Sequence, residues 1–77
     1  MSRDFEERLK KIIEMQKLKL MRCAEEFIPN ITEEDIMQPN DFPILESHPF
    51  FRHEEGILEG LLSALAAFQA QSKENLS

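Results

Sequence analysis

The chain has 77 residues, a single cysteine and a formal net charge of −6, which permits one small domain near the lower size limit for a self-sufficient core and excludes an internal disulfide. The acidic balance argues against general binding to nucleic acid. The longest nearly apolar run, Leu61 to Phe68, falls far short of the ~20 residues that span a bilayer, so no membrane insertion is expected.

The N-terminal segment is charged from its third residue and lacks the apolar core of an export signal. With the lone thiol, this predicts a cytoplasmic protein. Seven of the nine basic side chains (Arg3, Arg8, Lys10, Lys11, Lys17, Lys19 and Arg22) fall in residues 1–27. They scatter around a helix, the pattern of a solvated face rather than of a track for phosphates.

A first long helix is predicted over about 5–27, with Asp4 as cap, Glu7 completing a capping-box-like pair and Pro29 ending it. Phe5, Leu9, Ile12, Ile13, Leu20, Cys23, Ala24 and Phe27 share an arc of roughly 120° and form its core stripe. Gln16 sits near the middle of that stripe. A buried amide needs hydrogen-bond partners, so Gln16 either fixes the register between helices or lies at the wet edge of a small core.

Residues 28–48 make a long connection for a compact domain, so it should carry structure of its own. Thr32 followed by Glu33, Glu34 and Asp35 predicts a short helix over about 32–37, ended by Pro39. Asn40 and Asp41 suit a turn. Phe42-Pro43-Ile44-Leu45 is expected to be extended, with Phe42, Ile44 and Leu45 pinned to the long helices.

A second long helix is predicted over about 49–71, with Pro49 at its first position and Ser47 or His48 as cap. Residues 73–77 read as a disordered tail, leaving a single domain over 1–72. This helix has two faces. Phe50, Phe51, Ile57, Leu58, Leu61, Leu62, Leu65 and Phe68 make a bulky apolar surface over roughly 140°. Beside it runs a strip of small side chains, Gly56, Gly60, Ser63, Ala64 and Ala67. A glycine inside a helix costs about 1 kcal/mol relative to alanine, and close approach of another backbone is the reason such a ridge offers. The connector, a second copy or a different protein would have to cover it.

Chemistry is sparse. His48, His53 and Glu54 offer metal donors, but a five-residue spacing does not place two histidines on one helical face. Glu54 is expected to pair with a base on the first helix, and Cys23 to behave as a small buried hydrophobe. There is no Gly-rich phosphate loop, and no enzymatic activity or cofactor is expected.

The sequence thus predicts an all-α helical hairpin that forms a four-helix bundle as a homodimer, or docks on another helical protein. Its expected role is that of a non-enzymatic interaction module, an adaptor, small regulatory subunit or chaperone-like partner, with neither nucleic acid nor membrane as partner. The interface would be Gly56, Gly60, Ser63, Ala64 and Ala67. The acidic connector and the start of the second helix, with Asn40, Asp41, His48, Arg52, His53 and Glu54, would offer a recognition surface. The alternative is a metal- or ligand-binding module built on His48, His53 and Glu54.

Overall fold

Glu, Lys, Leu, Met and Arg fill most of residues 2–25 and neither proline nor glycine interrupts them, so helix is favoured at nearly every position. In the computed structural model this segment forms α1, Ser2–Glu25. The structure describes residues 2–38 and 42–76, with side chains over 4–38 and 42–71. Asp4 does not cap α1. It lies in the first turn, where its carboxylate complements the positive end of the helix dipole.

The end of α1 tightens before Pro29. The N–H groups of Phe27 and Ile28 both donate to the carbonyl of Ala24, at 3.0 and 2.9 Å, and that of Glu26 donates to Cys23 at 3.3 Å. Proline disfavours a helical conformation at Ile28. Asn30 then turns the chain with φ 63°, a left-handed conformation that asparagine tolerates better than most residues. Regular helix therefore ends at Glu25 and not at Phe27.

The second element, α2, is Glu33–Met37. Thr32 Oγ1 accepts from the N–H of Asp35 at 3.2 Å, and Asp35 Oδ2 accepts from the N–H of Thr32 at 3.0 Å. This reciprocal pair satisfies two donors that a helix start leaves without partners. Lys17 reaches across from α1 to Glu33 at 3.2 Å. That hydrogen bond raises the lysine's pKa above its ordinary value, Glu14 adding to it, while partial burial works in the opposite direction.

Pro39, Asn40 and Asp41, where a helix stop and a turn were predicted, lie outside the described residues. The next segment differs from the extended strand expected of it. Phe42 is extended, at φ −129° and ψ 91°, but Pro43 starts a helical turn, α3, Pro43–Glu46. Proline restrains the residue before it, while its own fixed φ suits the first helical position. Leu45 is fully buried by this turn, Phe42 is half-buried, and Ile44 faces solvent.

The last helix, α4, is Pro49–Leu76. His48 is its cap, with Nδ1 accepting from the N–H of Phe51 at 3.3 Å. The His48 ring lies against Phe27, with centroids 4.7 Å apart. The helical backbone continues past Gln71. It runs to Leu76, into the segment 73–77 read as a disordered tail; the side chains of 72–76 and all of Ser77 lie outside the described residues.

The described residues contain no strand, and the fold is all-α. None of the described helices is long and apolar enough to cross a membrane. α1 and α4 lie side by side and antiparallel, with Phe5 meeting Phe68 at 5.2 Å between ring centroids and Gln16 meeting Glu54. α2, α3 and their flanking residues fill one of the two grooves between them. The largest fully buried side chains, Leu20, Ile36, Leu45 and Phe51, all lie at this connector end.

Candidate functional site

The two grooves between α1 and α4 differ. On the filled side, Ile31, Ile36 and Leu45 are buried with Phe51 and Leu58. Among the described residues the other side has no third layer. Phe5 (55% exposed) and Ile12 (49%) on α1 face the same way as Phe50 (58%) and Ile57 (40%) on α4, with Leu61 and Phe68 half-buried below them. Side chains this large are normally unremarkable singly on a surface, but four along one seam form an apolar patch. At its connector end the seam opens into a cleft of about 470 Å³ lined by Lys19, Arg22, Cys23, Glu26, Phe50 and Glu54.

Gln16 and Glu54 form the floor near mid-length. Both are buried, at 6% and 8% exposure. The Gln16 amide donates to the main-chain carbonyl of Glu54 at 2.8 Å and to Glu54 Oε1 at 3.0 Å. Gln16 therefore fixes the register of α1 on α4. Glu54 has this amide as its partner on α1 where a base was expected.

The small-residue strip runs from the rim of the open seam, at Ala64 beside Ile57, around the face of α4 turned away from α1. Gly56, Gly60, Ser63, Ala64 and Ala67 are all exposed. A Cβ added at either glycine would meet nothing within 4 Å. The connector, one of the three candidate covers, lies instead on the opposite side of the hairpin axis.

The remaining candidates scatter. Arg52 pairs with Glu55 at 2.8 Å, on the filled side. His53 is exposed, with Nε2 3.9 Å from Glu54 Oε2. His48 is occupied as a cap, and Asn40 and Asp41 lie outside the described residues. Among the described residues no three metal-binding side chains come together, so His48, His53 and Glu54 do not assemble a site. Burial pushes the Cys23 thiol up, and the carboxylates of Glu26 and Glu54 push it the same way. This thiol is a poor nucleophile at neutral pH.

One feature of α1 escaped sequence reasoning, which took its bases as a single scattered population. Lys10 and Lys17 are tied to Glu6, Glu14 and Glu33. Arg8, Lys11, Lys19 and Arg22 are exposed and have no ion-pair partner among the described residues. These four share an arc of roughly 80° at 100° per residue, beside Ile12. Spacing alone could not have revealed the stripe, because Arg8, Lys11 and Arg22 also have an acid three or four residues away, and only the folded side chains show which pairs form.

Compared with protein-family models, curated proteins and solved structures, the chain matches none.

Proposed function

We propose that this protein is a non-enzymatic interaction module, a helical hairpin whose open α1–α4 seam receives a helix of another polypeptide or of a second copy. The observation that carries the reading is the exposed seam of Phe5, Ile12, Phe50 and Ile57, with the exposed small-residue strip on the outward face of α4 as a second uncovered surface. A second copy seated there would complete a four-helix bundle. The lone buried thiol fits a reducing cytoplasm.

Size supports the same reading. The accessible surface is 5828 Å² for 9.0 kDa, whereas a compact monomer of that mass exposes roughly 4,900 Å². The excess is close to the ~800 Å² that one partner contributes to a standard interface.

Gly60→Leu tests it. Position 60 has room for a side chain without disturbing the chain's own core, so the fold should persist and gain up to about 1 kcal/mol in helix propensity. Association should weaken, read as solution mass by light scattering over a dilution series and as binding of a synthetic amphipathic helix. Ile57→Lys, which places a charge in the seam itself, should weaken association as well. If both variants associate as well as the parent, this reading is removed.

A further inference from the structure

We propose that the occupant of the open seam is an amphipathic helix with carboxylates along one flank, supplied by a different polypeptide rather than by a second copy. The inference rests on the interaction reading above and adds the chemistry of the partner.

Charge carries the argument. Of the cations whose side chains are described, Lys10, Lys17 and Arg52 are paired within the chain. Arg8, Lys11, Lys19 and Arg22 are not; Arg8 and Lys19 lie next to Ile12 at the α1 rim of the seam, Lys11 and Arg22 continue the stripe around the exposed side, and Lys19 and Arg22 line the cleft beside Phe50 together with Glu26 and Glu54. From Arg8 to Arg22 the stripe runs about 21 Å, or four helical turns. Apolar side chains in the seam and unanswered cations along one bank are the complement of a helix with an apolar stripe and an acidic flank.

A second copy answers this poorly. Along the exposed side of α1 the order is Asp4, Arg8, Lys11, Met15, Lys19, Arg22, Glu26, all exposed, and it is symmetric about Met15. In a two-fold antiparallel pairing centred there, Arg8 would meet Arg22, Lys11 would meet Lys19, and Asp4 would meet Glu26. Every opposed pair has like sign. Placing the outward face of a second copy's α4 over the cations presents Gly56, Gly60, Ser63, Ala64 and Ala67, which carry no charge. Anionic bilayers would satisfy the cations but not the concave seam, and the net charge of −6 opposes approach to a large anionic surface. A single helix samples mainly the field within a Debye length of the stripe.

The test uses the full chain and two synthetic helical peptides, each with the same leucine stripe, one flanked by glutamates and the other by lysines at the same positions. Fluorescence anisotropy should show the glutamate peptide binding at least about tenfold more tightly, with the preference falling as salt rises. The double variant K19E/R22E, altered at two exposed unpaired positions, should keep its thermal midpoint and reverse the preference. Equal binding of the two peptides would overturn the acidic partner while leaving the interaction reading in place. Binding of neither peptide by a monomeric chain would overturn both. A stable dimer that dissociates on Ile57→Lys would assign the seam to a second copy, and flotation with phosphatidylcholine–phosphatidylserine vesicles in place of peptide binding would assign it to a membrane; either overturns the proposal.

Discussion

Gln16 and Glu54 are the polar pair on which the packing of the two long helices depends. Replacing Gln16 by leucine removes two hydrogen bonds and strands a buried carboxyl, which should cost about 2 kcal/mol in chemical denaturation. Adding Glu54→Leu should recover much of the loss, because removing both partners is far less costly than removing one. If the double variant is no more stable than Gln16→Leu, the pair is not the coupled unit described. Glu55 behaves differently. Burial pushes its carboxyl pKa up, and Arg52 only partly opposes this. The native state therefore holds this proton more tightly than the unfolded chain does. This residue's contribution to stability falls as the pH rises from the ordinary carboxyl range through the raised native value. Glu55→Gln should be more stable than the parent at pH 7, with the advantage shrinking on acidification toward about pH 4 in parallel thermal melts.

Among the elements, α4 depends on its first turn. His48→Ala removes the acceptor for Phe51 N–H and the ring against Phe27, and should cost about 1 kcal/mol or somewhat more. His48→Asn, which can cap but not stack, should recover the capping share, so the two melts separate cap from ring. The same elements show what sequence could and could not supply. Thr32 with Asp35 announced a short helix because capping is a local interaction between residues three apart. The helical turn at Pro43 was legible in principle, since the restraint applied to Phe42 and was extended too far along the chain. Which groove the connector would fill was not legible. That choice depends on Ile31, Ile36 and Leu45 packing together against both long helices, and no periodicity within one segment encodes it.

At the scale of the whole molecule the protein is a rod. It measures 46 × 19 × 19 Å, with a radius of gyration of 14.7 Å, against roughly 11–12 Å for a compact domain of this length. Sequence patterning supplied the two long helices and a helix with too many apolar faces for one neighbour. It missed the sorting of charge around α1, because Arg8, Lys11 and Arg22 have acids at pairing distance in sequence just as Lys10 does, and only the folded side chains show which of them pair. The concentration of fully buried side chains at the connector end bears on how the rod moves. At the opposite end only two helices meet, through the Phe5–Phe68 ring contact and the hydrogen bond from Gln69 to Glu6 at 3.1 Å. Amide hydrogen exchange should be slowest around Leu20 and Leu58 and faster toward the helix ends that carry Phe5 and Phe68; uniform protection along both helices would contradict this gradient. A rod anchored at one end and loose at the other behaves as tweezers: an incoming segment would find a preset grip beside Phe50, and the tips would close on it afterwards.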